Sequence, residues 1–165
     1  MTAIRGWWTK NELAAHAMAA FKAGLAAVLC LWLAGLLGLE HSYWAAISAI
    51  VVMGSNTDVT ITSCRDRLIG TGLGALLGWG TSYVWRGHSV VYGFAVAVAV
   101  FICSALQFDK AGRLAAVALT IIVLVDPGAN PGHAALARFL EVGLGIIVAL
   151  AVTLLVFPAA PSTAK

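Results

Sequence analysis

Apolar residues run in long blocks along this chain, separated by short polar breaks. The blocks predict six helical spans: Leu13–Leu39, Tyr43–Gly54, Leu68–Trp85, Ser89–Phe108, Leu114–Val125 and Phe139–Phe157, the last stopped by Pro158. Spans 4 and 5 are joined by a five-residue polar link, Asp109 to Arg113. Spans 2 and 5 hold about a dozen apolar residues each, roughly 18 Å of helix. That is well short of a hydrocarbon layer about 30 Å thick. Each runs into helix-breaking sequence, Gly54-Ser-Asn-Thr57 after span 2 and Asp126-Pro-Gly-Ala-Asn-Pro-Gly132 after span 5. Such segments are tolerated at membrane depth only where protein or water shields them.

Composition sharpens this picture. Of 165 residues, 61% are hydrophobic and 10% charged, too few polar groups to cover a soluble domain. Mean hydropathy is +0.95. The expected fold class is an all-α integral membrane protein. A polar or interfacial tail, 1–12, precedes a six-helix domain, 13–157, and a short tail, 158–165, follows. Span 1 is too long for a secretory signal and lacks a small-residue cleavage site. Three widely spaced cysteines, Cys30, Cys64 and Cys103, make no disulfide framework. A net charge of +3 makes no polybasic face, so no nucleic-acid partner is expected.

Basic residues set the expected orientation. With a cytoplasmic N-terminus, the inner side holds Arg5, Lys10, Lys22, Arg65, Arg67, Lys110, Arg113 and Lys165, and the outer side Arg86 and Arg138. The positive-inside rule then places both termini in the cytoplasm. Trp44 and Trp85 fall near the outer interface. In a Gram-negative cell this is the inner membrane.

Shifted by 71 residues, the chain matches itself. Arg67-Leu-Ile-Gly-Thr-Gly-Leu-Gly74 lies over Arg138-Phe-Leu-Glu-Val-Gly-Leu-Gly145, and the breaks after spans 2 and 5 coincide. Three spans per copy force the copies to cross the membrane in opposite directions. This is the plan of two inverted three-helix repeats found in many transporters, whose sites lie at the repeat interface.

The run His41-Ser-Tyr-Trp-Ala-Ala-Ile-Ser-Ala-Ile-Val-Val-Met53, with Arg67-Leu-Ile-Gly-Thr71, Gly74 and the segment from Arg138 to Ile146, resembles the fusaric acid resistance family. The resemblance extends from about Lys22 to Pro158. It implies export of aromatic or other lipophilic carboxylates. It also implies a membrane core similar to that of plant aluminium-activated malate transporters, which are dimeric anion channels. Larger members carry a soluble domain and many a second membrane half; a single half implies a homodimer or higher homo-oligomer.

Candidate site residues follow. Arg67 and Arg138 begin spans 3 and 6 from opposite faces. Each is either a topological or structural anchor or part of an electropositive path for a carboxylate, whose planar oxygens suit a guanidinium. Glu141, one turn after Arg138, either neutralises it or takes up a proton when substrate occupies it. Asp126 either stabilises its turn or moves protons. Ser48, Asn56 and Thr120 offer polar contacts, and Trp44 an aromatic face. Gly70, Gly74 and Gly78, four apart, form a close-packing stripe expected to bring spans 3 and 6 together, in the fold or across a subunit interface. Lys22 reads as a snorkelling anchor. No cofactor or metal is expected, and no nucleophile, base and orienting group assemble at a recognisable spacing, so no enzymatic activity is expected. Three functions fit: a carboxylate transporter, an anion channel without proton coupling, and a non-transporting subunit working with a periplasmic adaptor.

Overall fold

The computed structural model describes residues 10–39, 41–54, 57–84, 88–125 and 130–156. Within them the chain is helical, with six α-helices and no strand: α1 Lys10–Leu36, α2 Tyr43–Val52, α3 Thr57–Val84, α4 Ser89–Ala105, α5 Asp109–Thr120 and α6 Pro131–Ala151. α5 and α6 each continue into a π-helical segment, Ile121–Val125 and Val152–Val156. At both transitions a threonine hydroxyl bonds back to the carbonyl four residues earlier. Thr120 donates to Ala116 at 2.7 Å, and Thr153 to Ala149 at 2.8 Å. Such back-bonding perturbs the helical ladder.

The ends of α1 and α4 are built alike. The Leu39 amide reaches the Ala34 carbonyl at 3.0 Å and the Gly38 amide that of Gly35 at 3.2 Å. In α4 the Phe108 amide reaches Cys103 at 2.8 Å and the Gln107 amide Ser104 at 2.9 Å. Both are Schellman caps, with Gly38 at φ 65° and Gln107 at φ 62°. The caps end each helix three residues before the apolar run does, which is why spans expected to reach Leu39 and Phe108 stop at Leu36 and Ala105. A left-handed backbone is unfavourable for glutamine. Gln107→Gly is therefore expected to stabilise the protein by about 0.5–1 kcal/mol, read as a higher thermal midpoint; a lower midpoint would show that the glutamine side chain holds the turn.

The largest departures from expectation are in α3, α5 and α6. α3 begins at Thr57, eleven residues before the expected span. Its first turns are polar, yet Thr60, Cys64, Asp66 and Arg67 are buried in them. The Thr60 hydroxyl also accepts the Gly54 amide at 2.9 Å, tying off the end of α2. The residues 109–113, expected as a link, are the opening of α5, with Asp109 in the first turn where a carboxylate suits the helix dipole. α6 begins at Pro131, capped by the Asn130 side chain on the Gly132 amide at 3.0 Å. Arg67 and Arg138 therefore stand inside helices, not at their starts.

Helix α3 packs chiefly on α5, and α6 on α2 and α3. The glycine stripe of α3 faces α5, not α6. A Cβ at Gly74 would meet the Ala115 carbonyl and the Ala118 side chain; at Gly145 of α6 it would meet the Ala45 carbonyl and the Ser48 side chain of α2. Each glycine lets a helix backbone rest on a row of small residues. One core gathers Ala26, Cys30, Ala45, Ala49 and Val142 around α1, α2 and α6; another gathers Ala99, Cys103, Ala111, Ala115 and Leu119 around α4 and α5.

Large apolar side chains face outward. Val90, Phe94, Phe101 and Leu155 are 72–83% exposed, while Arg67, Arg138 and Glu141 are 7%, 4% and 1% exposed.

Candidate anion site

Arg67 of α3 and Arg138 of α6 line one small cavity with Trp44, Thr71, Leu114, Val117, Ala118, Ile121 and Val142. It measures about 10 Å³, room for one water molecule.

The two arginines have different surroundings. Arg138 donates from Nη1 to Glu141 Oε2 at 2.9 Å, across one helical turn. Its guanidinium lies 4.4 Å from the Trp44 ring centroid, a cation–π contact. Arg67 donates from Nη2 to the Ser48 hydroxyl at 3.3 Å. Among the described residues no carboxylate lies within ion-pairing distance of Arg67, and its Nε and the Trp44 Nε1 have no hydrogen-bond partner. An ion buried without a counter-charge is costly. The fold bears that cost at Arg67 while leaving donors aimed into a cavity beside a second guanidinium. Two such planar donors can grip a carboxylate from both sides.

Two larger pockets border the site, one sharing Leu114 with the cavity and one lined by Glu141. At the end where α2 finishes and α5 starts, Val51, Ser63, Asp66, Lys110, Arg113 and Leu114 line a space of about 360 Å³. Leu114 separates it from the central cavity, which it also lines. Asp66 there pairs with Arg65 at 3.5 Å. At the other end of α2, Gly38, Leu39, His133, Leu136, Ala137, Leu140 and Glu141 line a space of about 180 Å³. Glu141, which also pairs with Arg138, is its acidic wall.

The fold thus brings together Arg67, Arg138, Glu141, Ser48 and Trp44. Trp44 turns its ring onto Arg138. Thr120 is not in the site: its hydroxyl lies 2.9 Å from that of Tyr92 on α4, away from the cavity. Asn56 and Asp126 lie outside the described residues. Sequence reasoning missed Thr71, Asp66 and His41. Thr71 could have been found, since it is one helical turn from Arg67 and shares its face. His41 sits outside any helix, 3.9 Å from Glu141 through Nδ1 and Oε1, and no periodicity marks it.

The Arg138–Glu141 pair gives a separate test of structure against function. Arg138→Gln alone strands a buried carboxylate and is expected to cost about 3–5 kcal/mol. The double variant Arg138→Gln/Glu141→Gln removes both charges and is expected to recover most of that loss in thermal unfolding. A double variant no more stable than the single would mean that the pair is not coupled.

A helical bundle that buries Arg67, Arg138 and Glu141 and turns valine and phenylalanine outward suits a lipid surround. Two of its helical stretches, His16–Leu36 and Pro131–Leu155, are long and apolar enough to cross a membrane. The model of the fusaric acid resistance protein-like family matches residues 26–152, about three quarters of the chain, and the chain belongs to that family. Membership makes it a membrane-associated protein with a transport or resistance role. Neither the curated proteins nor the solved structures contain a match to it.

Proposed function

We propose that this protein transports organic anions, aromatic or lipophilic carboxylates among them, across the cell membrane by way of the Arg67–Arg138 cavity, and that it works as an exporter. The observation that carries the reading is the convergence of both guanidiniums on one cavity, with Arg67 lacking a carboxylate partner among the described residues. A cavity of about 10 Å³, too small for a carboxylate, favours a carrier that opens by turns over a standing anion channel. Substrate must displace Leu114 from one side or the Glu141 contact from the other.

The architecture we propose is six spans in two inverted repeats. Its supports are the matching caps at Gly38 and Gln107 and the matching contacts of Gly74 on α5 and Gly145 on α2. α1 to α3 then correspond to α4 to α6, and Arg67 to Arg138. With both arginines withdrawn into the core, the remaining basic residues divide seven inside against one outside for cytoplasmic termini. An inner-membrane protein of this kind, assembled as a homodimer, is the expected form, and a periplasmic adaptor remains a third-party partner only if export needs one. A cysteine at Asn130 is expected to react with an impermeant reagent applied from outside, and one at Lys110 not. The reverse pattern would overturn the orientation.

The deciding experiment is flux from purified protein in liposomes across a panel of aromatic and aliphatic carboxylates, with and without a pH gradient. Carboxylate flux from the protein alone supports a transporter over a passive subunit. Flux insensitive to proton gradients favours the channel, and no flux of any anion sinks the reading.

A further inference from the structure

The anion reading leaves one buried group without a task. Glu141 occupies Arg138 from the same helix, at 2.9 Å, and so competes with any carboxylate that needs the same guanidinium. A carboxylate and Glu141 cannot both be ionised against Arg138 without like-charge repulsion in a dry site. Protonation of Glu141 removes the competitor. A route for that proton is present. His41 Nδ1 lies 3.9 Å from Glu141 Oε1, and its side chain is 35% exposed where that of Glu141 is 1%. The gap is too long for a hydrogen bond but short enough for one bridging water or a small ring rotation. Imidazole is the side chain suited to exchange protons with water near neutral pH.

We propose that Glu141 is a proton-binding site loaded through His41, and that proton and carboxylate bind together, so that they cross in the same direction and export runs down the substrate's own concentration gradient. This rests on the anion reading of the Arg67–Arg138 cavity. The proton moves from water to the His41 imidazole, and from it to Glu141 Oε1. Arg138 then exchanges its bond to Glu141 for one to the substrate. Release of the substrate lets Glu141 return its proton and close on Arg138 again. The sign of the linkage follows. An antiporter would lose a proton on binding its anion; this site gains one.

Several described charged and titratable groups bear on Glu141. They are Arg138 and His133 on α6, His41 ahead of α2, and Arg67 across the cavity on α3. α1 presents Gly38 and Leu39 to the same pocket. His133 lines that pocket too and is the control for His41.

The test uses the purified full chain in nanodiscs and benzoate, which stays ionised between about pH 6 and pH 8. Calorimetry in two buffers of different ionisation heat counts the protons exchanged on binding. The expected result is uptake approaching about one proton per benzoate, with affinity rising by up to about tenfold for each pH unit lowered. Glu141→Gln is expected to abolish the uptake and to make binding independent of pH. His41→Gln is expected to keep the proton count but to slow the response to a pH jump by at least about tenfold, whereas His133→Gln does not. Proton release, or no proton exchange, overturns the proposal while leaving the anion site intact. Absence of benzoate binding overturns both. If Glu141→Gln does not fold, the count on the unaltered protein still decides.

Discussion

Arg67→Met is expected to lower carboxylate flux by roughly 10- to 100-fold and to leave the protein as stable as before, or more so. The two effects have opposite causes in one place. A charge-assisted hydrogen bond to a carboxylate contributes about 1.5–3 kcal/mol, and its loss appears in flux at low substrate. The same guanidinium is 7% exposed, bonded to Ser48 at 3.3 Å and without an acid partner among the described residues. Removing a buried ion of this kind is commonly neutral or stabilising. Arg67→Lys is expected to fall between, since an ammonium cannot present a fork of planar donors. Flux in liposomes and thermal unfolding of the same preparation decide. Full transport by Arg67→Met would remove Arg67 from the site. A large loss of stability would make it a structural post.

The second large effect concerns helix contact. Gly74→Ala and Gly145→Ala are each expected to destabilise by about 1–3 kcal/mol or more, because the new methyl group meets a backbone carbonyl of the facing helix. The obstacle at Gly74 is Ala115, and at Gly145 it is Ala45, neither of which has a side chain that can move aside. Gly80→Ala in α3 and Gly143→Ala in α6 meet nothing within 4 Å. They are expected to gain up to about 1 kcal/mol of helix propensity. Unfolding midpoints of the four variants settle the matter. Equal behaviour of the two pairs would mean that α3 and α5, and α6 and α2, are not held by close backbone approach.

Both predictions depend on facing partners that are remote in sequence. Gly74 was legible as a packing glycine from its spacing, and Gly145 as its counterpart in the repeat, but their partners were not. The stripe of α3 was expected to meet span 6 and instead meets α5, whose buried Ala111, Ala115 and Ala118 offer a row of small side chains. A one-dimensional pattern records that a face is small; it does not record which other small face it meets.

The sequence by itself determined the helical class, the family, the apolar blocks and the identity of the charged residues that no lipid-facing surface would keep. These follow from local chemistry: hydropathy, helix period and the cost of charge in hydrocarbon. It also marked Arg138 and Glu141 as neighbours, since one helical turn separates them. Helix ends were less legible. Apolar content cannot see a Schellman cap at Gln107, nor the polar helix from Thr57 to Arg67 that the bundle buries. Only the tertiary structure decided that Arg67 and Arg138 share a cavity, that Ser48 and Trp44 join them, that Thr120 turns instead to Tyr92, and that His41 stands beside Glu141. Those relations cross from one helix or loop to another. They are set by which faces pack, and packing is a property of the folded chain rather than of any segment of it.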